Sequence, residues 1–157
     1  NASTSVQQAP KVTGLVGHPS NGSKVYQSQE WASNGDSSVA ITAASTGSTD
    51  TFAQFGLSVE QGKTYTILAT ANMPNDAYLG STSRRRTICI YGGQSVTGGV
   101  ETASESAPIG VGTVRLVFTA AATGTAQVRL YSGAATETAR WDDLLIVEGE
   151  YTGPYFQ

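Results

Sequence analysis

Apolar residues recur along this chain at every second position, in short runs separated by polar turns. Ser38-Val39-Ala40-Ile41-Thr42 alternates in this way. From 51 to 59, Ala53, Phe55, Leu57 and Val59 form an apolar set, and Phe52, Gln54, Gly56 and Ser58 form the other. From 64 to 73, Tyr65, Ile67, Ala69 and Ala71 alternate with Thr64, Thr66, Leu68 and Thr70. Further runs span 85–92, 113–119 and 125–131. Val114, Leu116 and Phe118 share one face of the second, with Val117 interrupting its polar side; Ala126, Val128 and Leu130 share one face of the third. A period of two marks a half-buried strand, because successive side chains of an extended chain point to opposite faces. The final strand, read over 139–148, contains Leu144-Leu145-Ile146-Val147, a wholly apolar run expected of a strand buried on both faces. No segment carries a helical period beyond a turn.

Turn chemistry punctuates these runs. Asn34-Gly35-Asp36 is a turn signal after Trp31. Glu60-Gln61-Gly62-Lys63 separates two runs of about nine residues, which predicts a hairpin longer than average. Ala120 to Gly124 is a second turn, and 43–50, 74–83, 93–112 and 133–138 read as loops. Residues 1–24 are polar and rich in Gly, Ser and Pro; they read as an extended lead-in with at most one edge strand, ahead of a domain over 25–157. Several short strands joined by Gly, Asn and Thr turns predict an all-β fold, an antiparallel β-sandwich or barrel.

Composition narrows the function. The chain has 157 residues, enough for one domain with its own core. Nine basic and twelve acidic residues give a net charge of -3, which argues against nucleic acid as a partner. The one basic run, Arg84-Arg85-Arg86, fits either an edge-strand guard or a contact to an anionic glycan or phosphate. Cys89 and His18 are each single, so an internal disulfide, a zinc site and Cys-His catalysis are excluded within the chain. Cys89 lies in an apolar strand pattern and reads as a small buried hydrophobe. No apolar run approaches the length of a membrane span, so a membrane is not an expected partner. No leader pattern opens the sequence, and a mature form or an excised domain fits equally. Asn1-Ala2-Ser3 and Asn21-Gly22-Ser23 match the glycosylation triplet, which is common by chance.

Two sets of residues carry candidate chemistry. Sugar binding needs aromatic planes to stack on pyranose faces, with polar side chains to catch hydroxyls. Tyr78 and Tyr91 supply planes, Arg84, Arg86 and Gln94 lie near them in sequence, and Trp31 sits in an early loop. Tyr91 shares the parity of Cys89, opposite Ile88 and Ile90, so it is placed outside the main core. Packing alone also accounts for each aromatic. The second set is Asp142 and Asp143, neighbours expected on opposite faces of the last strand. One of them could join a structural calcium, which takes six to eight oxygens; equally, the inward one could accept backbone N–H bonds and lock a turn. Neither set makes an enzyme. A glycosidase needs two carboxyl groups about 5–10 Å apart across a cleft, which neighbours on opposite strand faces do not supply.

The order of these pieces resembles the carbohydrate-binding-module-like jelly roll of the family 4/9/22 type, found in glycoside hydrolases and often in phage tail proteins. The resemblance runs from about Glu30 to the C-terminus. It rests on Glu30 to Val39, on Leu57 to Ala71 with Glu60-Gln61-Gly62-Lys63-Thr64-Tyr65, on Val114 to Ala120 with Val128 to Tyr131, and on Trp141-Asp142-Asp143-Leu144. Glu148-Gly149 followed by Gly153-Pro154-Tyr155-Phe156 is similar to the end of such modules in phage minor tail proteins. The resemblance implies a jelly roll without catalytic activity that recognises bacterial cell-wall or surface polysaccharide. It implies a virion tail location, hence host recognition with other virion proteins as neighbours, or otherwise an extracellular one. A virion decoration or assembly domain without sugar binding is the alternative, as is an accessory module of a secreted polysaccharide-degrading enzyme. The family's opening segment carries a Glu that helps to hold a structural calcium; Leu15-Val16-Gly17-His18-Pro19-Ser20 has no acid in its place.

Overall fold

A computed structural model of the chain describes residues 16–18, 24–33, 37–42, 51–74, 87–92, 101–131 and 137–154, with the backbone alone at 18, 91–92 and 101–106. The described residues form ten strands: β1 (Val16–His18), β2 (Lys24–Ser28), β3 (Ser38–Thr42), β4 (Phe52–Val59), β5 (Thr64–Met73), β6 (Thr87–Gly92), β7 (Glu101–Ser106), β8 (Gly110–Thr119), β9 (Gly124–Tyr131) and β10 (Thr138–Glu148). They form two five-stranded antiparallel sheets. Sheet A has the order β1-β4-β9-β6-β7, and sheet B the order β2-β3-β10-β5-β8. The described residues contain no helix, and therefore none long and apolar enough to cross a membrane. The fold is an all-β antiparallel jelly-roll sandwich.

The parity read from the sequence sets the core. Ala53, Phe55, Leu57 and Val59 of β4 and Ala126, Val128 and Leu130 of β9 line the inner face of sheet A. Tyr65, Ile67 and Ala69 of β5 and Val114, Leu116 and Phe118 of β8 line that of sheet B. Trp141 joins the two layers. Its indole is 1% exposed, and its Nε1–H, from sheet B, donates to the carbonyl of Tyr131 in sheet A at 3.0 Å.

The expected hairpin between 51–59 and 64–73 does not form. β4 pairs with β1 and β9, whereas β5 pairs with β10 and β8. The turn at 60–63 is a corner that carries the chain from one sheet to the other, and 120–123 is a second corner beside it. The two corners bond to each other: Gly62 N–H donates to Ala120 O at 2.9 Å, Ala120 N–H to Lys63 O at 2.9 Å, and Gln61 N–H to Thr123 Oγ1 at 3.0 Å. Gly62 takes φ 82°, a left-handed conformation suited to glycine. Lys63 Nζ lies 3.1 Å from Glu60 and 3.2 Å from Glu148. Its hydrogen bonds, first to Glu60 and then to Glu148, hold the ammonium above the usual lysine range. The small stabilisation this gives is present below the unfolded-state pKa and fades as pH rises through the folded one.

Two strands lie in stretches read as polar. β2 begins at Lys24, and β7 falls inside the loop expected over 93–112. Both are edge strands, paired through their backbones to β3 and β6. β1, at the edge of sheet A, lies in the lead-in and extends to His18, expected in a loop.

The outer face of sheet B is partly roofed by the C-terminal segment. Gly149, at φ 100°, turns the chain back. Thr66 Oγ1 donates to Gly149 O at 2.7 Å and accepts from Tyr151 N–H at 3.0 Å, and Arg115 Nη2 donates to Gly153 O at 2.6 Å. Thr66, Leu68 and Thr70, on the outward parity of β5, are buried. The Tyr151 hydroxyl closes the turn on Pro154 O at 2.6 Å. Tyr155 and Phe156 lie outside the described residues. The apolar run of β10 is less covered than its composition predicts: Val147 is buried, while Leu144, Leu145 and Ile146 are half-buried.

Candidate functional site

The outward residues of sheet A form rows across β4, β9 and β6. Phe52 pairs with Tyr131, Gln54 with Arg129, and Gly56 with Gln127. Cys89 continues the row of Arg129, and the backbone of Tyr91 continues that of Gln127. β9 is the middle strand, so Arg129 stands near the centre of the face. Its guanidinium lies over the Phe52 ring, 4.2 Å from the centroid. Its Nε–H donates to Gln54 Oε1 at 2.9 Å and its Nη1–H to the Tyr131 hydroxyl at 3.3 Å. The rings of Phe52 and Tyr131 are 5.3 Å apart and tilted by 48°.

Phe52, Gln54 and Arg129 are half-buried, while Tyr131 is 1% exposed and Cys89 is buried. The guanidinium is therefore fixed in one orientation by stacking and by two neutral acceptors, on strands that a core holds rigid. Such an arrangement places an oriented guanidinium, the Phe52 ring and the Gln54 amide in neighbouring rows, with Tyr131 buried beside them. This is the equipment needed to catch hydroxyl or acidic oxygens along an extended ligand.

The site residues expected from the sequence fall differently. Tyr78, Arg84, Arg86 and Gln94 lie outside the described residues. Tyr91 is placed by its backbone at the end of β6, in register with Gln127. Trp31 is half-buried in the β2–β3 connection, where its carbonyl accepts from the Ser38 hydroxyl at 2.7 Å. Gln54 and Arg129 occupy the polar parity of their strands, where a sequence reading sees only a solvated side. The signal was an aromatic two positions from a polar residue in each strand, Phe52 with Gln54 and Arg129 with Tyr131.

Asp142 and Asp143 line a different feature, a cleft of about 460 Å³ along β2, β3 and β10, with Val25, Gln27, Val39 and Leu144 among its walls. The expected alternation of the two acids is broken. β10 slips register against β5 between Asp142 and Leu145, and Asp143 takes φ 49°. This is a β-bulge, with one residue more on β10 than on its partner. Asp142 Oδ2 accepts the Ser33 N–H at 2.8 Å, and Arg140 pairs with Glu30 on the same loop. The pair of contacts ties the β2–β3 loop to β10.

The described residues bring together no group of three or more His, Cys, Asp or Glu able to hold a cation. Two carboxylates, one of them engaged by a backbone amide, fall short of a calcium shell. Calcium is tested by comparing the melting midpoint in calcium with that in chelator. A midpoint that rises with calcium would assign Asp142 and Asp143 to a metal. Asp143→Gly is expected to raise stability by about 0.5–1 kcal/mol in chemical denaturation, because glycine adopts the left-handed conformation without a Cβ penalty.

No protein-family model matches the sequence, and no curated protein matches it. Solved structures do. The chain is similar to the CBM22-1 xylan-binding domain of Paenibacillus barcinonensis Xyn10C, with a TM-score of 0.57 and 12% identity over 88% of each chain. It is similar to the C-terminal family 22 carbohydrate binding module of Clostridium thermocellum Xyn10B, with a TM-score of 0.52 and 13% identity over 85% of this chain and 84% of that one. It is also similar to the enzymatically active domain of tailspike protein 4 of bacteriophage CBA120, with a TM-score of 0.55 and 12% identity; there 87% of this chain corresponds to 19% of that one. At these identities the likeness establishes the fold: a jelly-roll domain like those of carbohydrate-binding modules.

Proposed function

We propose that this chain is a non-catalytic glycan-recognition module of a phage tail protein, and that it docks bacterial surface polysaccharide on the outer face of sheet A. The observation that carries the reading is the arginine plate: Arg129 stacked on Phe52 and held by Gln54 and Tyr131 in the middle of a rigid sheet. Support comes also from the fold shared with xylan-binding modules and from the resemblance of Trp141-Asp142-Asp143-Leu144 and the Gly153-Pro154 end to phage tail modules. The tailspike likeness agrees with the tail location. Asp142 serves in this reading as the lock of the β2–β3 loop.

Pulldown with purified Gram-positive cell walls, together with a glycan array, tests the proposal. Retention of the chain on walls and release by soluble wall polysaccharide are expected. No retention and no array signal at high protein concentration would leave the chain as a structural virion domain.

A further inference from the structure

The two sheets leave four edge strands, and three of them are guarded. β1 is three residues long. β2 is five residues long and starts with Lys24, which is exposed. β7 carries Glu101 and Glu105, and its register against β6 slips between Ile90 and Tyr91. Short length, charge and bulges are the usual devices that keep a sheet edge from pairing with another chain.

β8 has none of them. It runs for ten residues and pairs with β5 at ten consecutive positions without a break. It contains no Lys, Asp, Glu or Pro, and its one charge, Arg115, reaches to the carbonyl of Gly153. Its outward side chains include Val111, 64% exposed, and Val117, 38% exposed, next to Ile109 at 53%. A long, regular edge with exposed β-branched residues is a template for strand addition.

We propose that this edge pairs with a second copy of the chain, β8 against β8, in an antiparallel two-fold dimer. The charge pattern of the edge fits that occupant, because Arg115 is the one charge on β8 and a two-fold register can keep its two copies apart. Val111 and Val117 are equidistant from Val114. A two-fold axis at Val114 therefore sets Val111 of each copy opposite Val117 of the other and puts Thr113 opposite Arg115, with no like charges facing. An axis one residue further along would set two Arg115 side chains against each other. A two-fold contact must be self-complementary, and this register is.

The symmetry has a consequence for binding. Antiparallel strands joined edge to edge are related by an axis perpendicular to the sheet. Sheet A then lies on the same side of the joined B sheets in both copies, and the two Arg129 faces look the same way. Resting on the glycan reading above, the dimer is bivalent toward a polymer surface and gains avidity without a new contact.

Light scattering after size exclusion tests the dimer independently of any sugar. The full chain is expected to approach twice its 16.3 kDa mass as concentration rises toward about 1 mM. Val111→Lys combined with Val117→Lys, both at exposed sites, is expected to stay monomeric with an unchanged melting midpoint. The register is read by disulfide trapping. Chains carrying Val111→Cys mixed with chains carrying Val117→Cys should form a covalent dimer on oxidation, and neither should do so alone, since directly opposed residues fall within disulfide reach. The native Cys89 is buried and does not compete. A wild-type chain that stays monomeric throughout, a dimer that survives the double lysine substitution, or equal trapping by either cysteine alone would overturn the proposal. Loss of glycan binding with the dimer intact would instead count against the sugar reading.

Discussion

Replacing Trp141 with alanine is expected to lower the folding free energy by about 3–5 kcal/mol, roughly 10–15 °C in melting midpoint for a domain of this size. The indole is the largest fully buried side chain, and it sits where the sheets meet. Its removal leaves a cavity in the shared core and also strips the carbonyl of Tyr131 of its donor. Trp141→Phe separates the two losses. It keeps most of the volume and forfeits the hydrogen bond, for an expected cost of about 1–2 kcal/mol. Chemical denaturation followed by circular dichroism measures both. A cost below about 1 kcal/mol for the alanine variant would mean that the layers are not joined at this residue.

Arg129→Ala is expected to weaken binding to cell-wall polysaccharide by roughly 30-fold or more, about 2 kcal/mol, in isothermal titration. The guanidinium is already stacked and hydrogen-bonded before any ligand arrives, so little ordering entropy opposes its use. Arg129→Lys keeps the charge and loses the planar fork, and most of the loss should remain. The alanine variant also gives up the contacts to Phe52, Gln54 and Tyr131, so its melting midpoint should fall by a few degrees, and binding is compared at a temperature where both variants stay folded. An alanine variant that binds as well as the parent would move the site away from this face.

The strands with a buried side were legible. Ser38–Thr42 and Thr64–Met73 match in their bounds, and Ile41, Tyr65, Ile67, Ala69 and Ala71 join the core as the alternation expects, although burial itself runs through both parities. β2 and β7 were not legible, since an edge strand can be held by backbone bonds that no side-chain pattern records. Sheet partnership was not legible either. β4 and β5 each present an apolar set inward, which is what the arms of a hairpin would do and also what two facing sheets do. The corner bonds between Gly62 and Ala120 choose between them, and those residues are distant in sequence.

The candidate site suffers from the same limit. Gln54 and Arg129 are 75 positions apart and become neighbours only through the β4–β9 register. Alternation assigns both to the solvent side, which is correct for the side and silent about the row. The bulge at Asp143 is hidden for another reason. Aspartate tolerates the left-handed conformation better than most residues, so it gave no sign beyond its identity.

Amide chemical-shift mapping with cell-wall polysaccharide fragments addresses the glycan face most directly. Perturbations concentrated at Phe52, Gln54, Gln127, Arg129 and Tyr131 are the expected result. Shifts confined to sheet B or to the Asp142–Asp143 cleft, with those five amides unmoved, would contradict it.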